Sequence, residues 1–334
     1  MPAIGAPVGR TLLGSLWDAT RMRLLVALAN EPSVSAAARA IGITQSTASE
    51  HVRVLELATG QPLLERRGRG SRLTDAGRLL AARAAEALAA LSAGEEEIAE
   101  LAGLQTGRVT LAASWEPGVH LVPETLGCFQ QDYPLVDVEL EVSSTADVLQ
   151  WLVSGRAQVA IVGGAPDDGR FVVDPFFADE IVGVAAPGLL PVVDGTVAPE
   201  SLSRSTLLAT EAGSSSQSAA DEELAAAGVR PRSTWRLGPC EGVRHAAAAG
   251  LGFAFLSRIT IADELASGRL EEFRLAGRAP LTHRFDVVRP AGRQLTPAEE
   301  RFLATLWRCC TRSSSYAASC VLPPPALAGA APPA

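Results

Sequence analysis

Lysine is absent from this 334-residue chain, and all 29 of its basic side chains are arginine. That imbalance reflects composition and assigns no chemistry. No apolar run approaches the roughly 18 residues of a membrane span, and only Arg10 precedes the first broken apolar patch, so neither a spanning helix nor a secretory leader is expected. Cytoplasmic residence is the default. The five cysteines, Cys128, Cys240, Cys309, Cys310 and Cys320, are odd in number and show no CxxC spacing. A disulfide framework and a structural zinc site are therefore both disfavoured, and free thiols are expected. Also missing are a GxSxG elbow, a Walker sequence and an HExxH helix, and His51, His120, His245 and His283 are scattered without metal-ligand spacing. The chain offers no catalytic constellation, no metal site and no resident cofactor.

What is present is a globular balance, 47% hydrophobic and 20% charged, in a chain long enough for two or three cores. The net charge of −8 hides a division, because residues 21–83 carry ten arginines against five acids, or +5, leaving −13 elsewhere. A small basic module joined to an acidic body suits a protein that touches phosphates at one end only.

The basic module reads as three short helices and a hairpin. Leu24, Leu25, Ala27 and Leu28 give an amphipathic helix over 21–30 that Glu31-Pro32 ends. Ser33 or Ser35 can cap a second helix of small residues, Ala36 to Ile41, and Gly42 makes the turn. A third helix from Thr44 or Gln45 to about Thr59 buries Ala48, Val52 and Leu55. Its opposite face then presents Ser46, Ser49, Glu50 and Arg53, with Gln45 and Thr47 near the N-terminus, the place from which a recognition helix reads base edges. Gln pairs with adenine, hydroxyls donate or accept, and Arg grips guanine or phosphate. An exposed polar face is common on small helical domains, so the hairpin that follows matters. Leu63 to Arg66 reads as one strand, Arg67-Gly68-Arg69-Gly70 as a basic tip and Arg72 to Thr74 as the returning strand. Such a wing can lie on the backbone or the minor groove.

Residues 33–77 resemble the DNA-binding signature of the LysR-type transcriptional regulators. The match runs through Ser33, Ser35, Ala37-Ala38, Ile41 to Ser49, Leu55-Glu56, Gly60, Leu63 to Arg66 and Leu73 to Gly77. It departs at Val34 and Leu64, where the family often has Phe, and at Ser46, where Pro is common. The resemblance implies double-stranded promoter DNA as partner, with Ser33, Ser35, Gln45, Ser46, Thr47, Ser49, Glu50, Arg53, Arg66, Arg67 and Arg69 as candidate contacts. It also implies a contact with RNA polymerase.

From Asp75 to about Leu104 no proline interrupts an Ala, Leu and Glu-rich segment. Leu80, Ala84, Ala87, Leu91, Gly94, Ile98 and Leu101 recur at alternating spacings of four and three, the seam of a coiled coil. This predicts a dimerisation helix, with packing on the chain's own body as the competing reading.

Beyond Gly107 strands and helices alternate. Strands at 109–113, 136–142 and 159–162 enclose helices at 119–131 and 146–154, a βαβαβ order that predicts a mainly parallel sheet. A second set, with strands at 181–185, 206–210, 235–237 and 253–256 and helices at 216–227 and 243–249, implies a second, similar lobe. This body is similar to the LysR effector domain, itself like the periplasmic binding proteins, through Leu121-Val122-Pro123, Phe129, Tyr133-Pro134, Ile161-Val162 and Ala249 to Gly252. Gln158 stands where the family often has Asp, and Trp115-Glu116 where it often has Ser or Thr.

The expected architecture is thus an α/β chain with an N-terminal all-α winged helix-turn-helix (17–74), a linker helix (75–105), a two-lobed effector domain (106–310, second lobe about 179–264) and a disordered tail (313–334). Strand ends facing helix N-termini are where such sheets take ligands. That makes Ser114, Trp115, Thr145, Gly164, Ser214, Ser215, Ser216 and Glu241 candidates for a small-molecule effector, although Ser214 to Ser216 also suit plain helix capping. Trp115 favours an apolar or aromatic ligand, whereas Glu116 competes with an anionic one. A homodimer or homotetramer is expected. An enzyme, a solute-binding protein and an architectural DNA protein are the rival readings. The first lacks a catalytic set, the second would not carry a helix-turn-helix, and the third would not need the acidic body.

Overall fold

The computed structural model describes residues 17–67, 70–101, 105–166 and 169–312. Expectations for the N-terminal extension, the wing tip at Arg69 and the tail lie outside these residues. The chain forms two compact units, one built on residues up to Glu95 with Val153–Arg156, the other on Glu96–Leu152 and the chain from Ala157 onward.

The first unit begins with α1 (Ala19–Asn30), α2 (Val34–Ala40) and α3 (Gln45–Thr59). Each starts on an oxygen that satisfies an otherwise orphan amide: Asp18 accepts from Arg21 N at 2.8 Å, Ser33 from Ala36 N at 3.2 Å and Thr44 from Thr47 N at 3.1 Å. Gly60, at φ +65°, closes α3 in a left-handed conformation that a side chain would disfavour. Leu24, Leu25 and Leu28 meet Ala37, Ala38, Ala48, Val52 and Leu55 in one core, where the small alanines let α2 lie close to α3. Strands β1 (Leu64–Arg67) and β2 (Gly70–Leu73) pair antiparallel, Leu64 opposite Leu73. The first strand starts one residue later than the sequence suggested because Leu63 is buried in the core and its amide is held, with that of Leu64, by the Glu56 carboxylate at 2.8 and 3.3 Å. Thr74 then caps α4 (Asp75–Leu101) through the Gly77 amide at 3.1 Å.

The second unit opens with β3 (Gly107–Ser114), α5 (Trp115–His120), α6 (Val122–Asp132), β4 (Val136–Ser143), α7 (Thr145–Ser154) and β5 (Val159–Gly163). One helix was expected where α5 and α6 stand; the break falls at Leu121, before Pro123 in the first turn of α6. After β6 (Phe171–Ala185) come β7 (Thr196–Val197), α8 (Pro199–Ser203), β8 (Thr206–Ala209), α9 (Ser215–Ala226) and β9 (Ser233–Arg236). The rest comprises α10 (Cys240–Ala248), β10 (Ala254–Ser257), α11 (Ala262–Ala266), β11 (Glu271–Leu275), β12 (Leu281–Pro290) and α12 (Pro297–Arg312).

As alternation predicts, β3 is parallel to β4 and β5. The sheet as a whole is mixed rather than mainly parallel. Its order is β4-β3-β5-β12-β6-β11-β7, with β10 also on β6, and β12 runs antiparallel to both neighbours. Strand β6 is longer than sequence reading allowed and β12 was not expected at all, and both cross from one lobe to the other. Phe176, Phe177, Phe285 and Val287 belong to the core of the first lobe, with Phe302, Leu306 and Trp307 of α12. Ile181 and Leu281, on the same strands, pack with Phe253, Phe273 and Leu275 of the second. That second core therefore reaches past residue 264. The register slips between Phe285 and Asp286, opposite Pro175, which has no amide to give the ladder. Cys128, Cys240 and Cys309 are free thiols, but Cys310 is disulfide-bonded, contrary to the expectation of thiols throughout.

Candidate functional site

The outward face of α3 is as the periodicity requires: Gln45, Ser46, Thr47, Ser49, Glu50 and Arg53 are all exposed, while Ala48, Val52 and Leu55 are buried. The Ser46 and Thr47 hydroxyls gather on the capping Thr44 Oγ1 at 2.9 and 2.8 Å. Arg53 is held by Glu50 through two 3.0 Å bonds, which pull the Glu50 carboxyl below and push the guanidinium above their ordinary ranges. Glu50 thus covers the positive charge of this exposed face. Ser33 is committed to capping α2, and Ser35 is half-buried on that helix. Arg66 and Arg67 sit at the end of β1; their side chains, like Arg69, lie outside the described residues.

The proposed seam on α4 divides. Ala84 is buried in the core of the first unit and Leu80 packs against it, so these two serve the chain's own fold and are not open to a second copy. Ala87 is exposed, as are Leu91, Ile98 and Leu101 at 58%, 69% and 90%. The periodic pattern was continuous, and only packing reveals where it changes use.

In the second unit the loops singled out from sequence converge between the lobes. Glu116, at the start of α5, accepts a 2.5 Å hydrogen bond from Ser216 Oγ across the cleft. Ser215 Oγ lies 3.2 Å from His283 Nε2 on β12. Gly163 accounts for the closeness, since a Cβ there would stand 2.4 Å from that nitrogen and 2.6 Å from Ser215 Oγ. Ser114 and Thr145 clamp this glycine: Gly163 N donates to Ser114 Oγ at 3.3 Å, and Thr145 Oγ1 donates to Gly163 O at 3.2 Å. Both hydroxyls are buried and already bonded, so they shape the cleft floor. Ser214 caps α9 through Gln217 N at 3.3 Å, and Gly164, beside Ser215, takes φ +67°. Trp115, Glu116, Val119, His120, Pro239, Cys240, Glu241 and Thr260 line a small pocket of about 20 Å³.

Sequence reading missed His283, Thr260 and Glu211. His283 sits on a strand that alternation did not expose, and nothing local distinguished it. Burial lowers its pKa, against the pull of Glu116, Asp179 and Asp286, and burial lowers that of His120 too. Burial also pushes the Cys240 thiol up to about 12, which removes it as a nucleophile. Because folded His283 resists a proton that the unfolded chain accepts below 6.5, its contribution to stability is present above that pH and is lost as pH falls. Glu211 and Asp286, raised by burial, have the opposite slope, nearer the carboxylate range. Thermal midpoints from pH 7.5 down to 5.5 should therefore fall, and His283→Gln should flatten the curve by up to about 1.4 kcal/mol per pH unit. Parallel curves would mean that the histidine titrates normally.

Comparison with known proteins places these features. Residues 19–78 match the family described as bacterial regulatory helix-turn-helix protein, lysR family, and residues 102–310 match the LysR substrate binding domain. The RuBisCO operon transcriptional regulator of Acidithiobacillus ferrooxidans is 29% identical over 86% of this chain and 92% of its own length. A full-length OxyR variant from Pseudomonas aeruginosa superposes with TM-score 0.68 at 21% identity, covering 92% of this chain and 99% of that one. The regulatory domain of Synechocystis CcmR, in complex with 2-PG, superposes with TM-score 0.56 at 26% identity, covering 60% of this chain and 96% of that one.

Proposed function

The chain belongs to the LysR family of transcriptional regulators, and we propose that its α3 face reads promoter DNA while a small molecule held between the lobes of its second unit sets how it does so. As a member it is a DNA-binding regulator with an effector-binding domain. Gln45, Ser46, Thr47, Ser49 and Arg53 are the reading set, with Arg66, Arg67 and Arg69 on the wing; Leu91, Ile98 and Leu101 join copies into a dimer or tetramer. The observation that carries the reading is the pairing of one exposed polar helix face, capped by Thr44, with a two-lobed cleft bridged by Glu116 and Ser216. The CcmR regulatory domain, solved in complex with 2-PG, supports a small-molecule ligand for the matching domain of this chain. A bridging ligand favours one relation of the lobes, and each 1.4 kcal/mol of differential affinity shifts the balance about tenfold.

A helix-turn-helix unit joined to an effector-binding domain fits a non-catalytic regulator that works without a cofactor where the chromosome lies, in the cytoplasm. No group of His, Cys, Asp and Glu among the described residues could hold a metal, and no described helix is long and apolar enough to cross a membrane. In vitro transcription with purified RNA polymerase, from the promoters flanking the chain's own gene, is the test. Addition of the protein should change transcript yield, and Arg53→Ala should abolish the change. Unaltered transcription at those promoters would contradict a regulatory role there.

A further inference from the structure

The interlobe cleft is shut by groups of the chain itself. Glu116 lies in the first turn of α5, a helix so close to β3 and β4 that a Cβ on Gly118 would stand 2.8 Å from Val142 and 3.1 Å from Ala113. Ser216 lies in the first turn of α9, whose Ala220 and Leu224 belong to the core of the second lobe. The hydrogen bond between them therefore crosses from lobe to lobe, and its hydrogens can be assigned. An ionised carboxylate only accepts, so Ser216 Oγ donates to Glu116 Oε1 at 2.5 Å. Ser214 Oγ, 3.0 Å from Ser216 Oγ, accepts from Gln217 N, which leaves its own hydrogen for Ser216. Glu116 and Ser216 are 7% and 3% exposed, so water competes little for the bond. Glycines let the walls meet around it: a Cβ on Gly164 would stand 3.2 Å from that of Ser215, and one on Gly213 3.5 Å from that of Ala146. The space left beside Glu116 is about 20 Å³, the room of one water. Every candidate effector hydroxyl is already bonded within the chain, Ser114 and Thr145 to Gly163, Ser215 to His283, and Ser214 to Ser216. The first amides of α9 lack helical partners and would receive an anionic group, and a carboxylate of the chain stands beside them.

We propose that Glu116 is a built-in occupant of the cleft: its carboxylate takes, at the start of α9, the place of an effector's anionic group and latches the two lobes together. This rests on reading the interlobe cleft as the effector site. The wild-type cleft then takes no simple carboxylate, because its own is already there, and an effector acts by displacing Glu116 from Ser216 so that the lobes part. The energy of the latch is that of one charge-assisted hydrogen bond in a dry place, large enough to bias the lobes and small enough for a ligand to overcome.

The test labels full-length wild type, Glu116→Ala and Ser216→Ala with a maleimide and follows Cys240 by peptide mass. Cys240 lines the same small pocket, its thiol donating to Thr260 Oγ1 at 3.3 Å. Burial holds that thiol at about 12, so parting the lobes both exposes and activates it. Melting midpoints establish that each variant folds, and Ser216→Ala decides the latch if Glu116→Ala does not. Both variants should label Cys240 at least about tenfold faster than wild type, the change expected when one charge-assisted hydrogen bond is lost. Propionate at up to about 20 mM, against chloride at equal ionic strength, should restore slow labelling to Glu116→Ala and raise its melting midpoint, and should do neither in wild type or Ser216→Ala. Wild-type labelling rates in the folded variants would overturn the latch. Fast labelling of Glu116→Ala that propionate leaves unchanged would overturn the carboxylate's role as a ligand's substitute. If the variants open and propionate recloses Glu116→Ala while affinity for the promoters flanking the gene never changes, the latch stands and the reading of the cleft as the site that sets DNA binding fails.

Discussion

Replacing Leu91 or Ile98 by aspartate should turn the protein into a monomer in sedimentation, and its affinity for specific DNA should fall by about 10²- to 10⁴-fold. Both side chains are more than half exposed on α4, one helical face shared with Leu101, which is 90% exposed. Burying a leucine or isoleucine between copies contributes roughly 1.5–3 kcal/mol each, whereas a carboxylate placed there must be desolvated without a partner. The loss of DNA affinity follows from linkage alone, because two recognition helices on one dimer engage two half-sites at a high effective concentration and a lone head does not. Ala84→Asp is the instructive contrast. That residue lies inside the first unit's core, so its replacement should unfold the unit rather than separate copies. An oligomer that survives both Leu91→Asp and Ile98→Asp would assign the stripe to some other packing.

The second large effect concerns α3. Gln45→Ala should relax sequence preference, with a loss of roughly 1–3 kcal/mol of discrimination if the amide pairs with adenine. Arg53→Ala should weaken binding to every sequence alike and lower the slope of log affinity against log salt by about 1 for each phosphate it no longer neutralises. The double change Arg67→Ala with Arg69→Ala should do the same from the wing. Glu50→Gln moves the other way: with its partner neutral, Arg53 is free to meet the backbone, so affinity should rise and selectivity fall. Fluorescence anisotropy across a salt series checks all of these. Invariant slopes in every variant would remove helix and wing from the interface.

The DNA-reading unit was almost fully legible in the sequence because its determinants are local. Ala48, Val52 and Leu55 fix which face of α3 is hidden, Ser33 and Thr44 stand where helices need an oxygen, and Gly60 stands where one must end. Its wing was displaced by one residue because Leu63 answers to Glu56, a contact with a different element. The parallel core of the effector domain was legible from alternation. Strand β12 and the first half of β6 were not, since His283, Arg284, Asp174 and Pro175 interrupt the apolar pattern and the two strands are held by each other across the chain. For the same reason the cleft was only half visible. Its loops could be named from strand ends, but His283 enters it through long-range pairing, and Leu80 and Ala84 leave the seam through packing that no spacing records.

Selection from a pool of random duplexes with purified full-length protein tests the central claim without knowledge of the promoter. Enrichment of an inverted repeat whose half-sites lie one helical turn or a multiple of it apart, with preference at a defined position lost in Gln45→Ala, is the result expected. Recovery of duplexes with no shared sequence, or of the same repeat by wild type and Gln45→Ala alike, would contradict a regulator that reads DNA through α3.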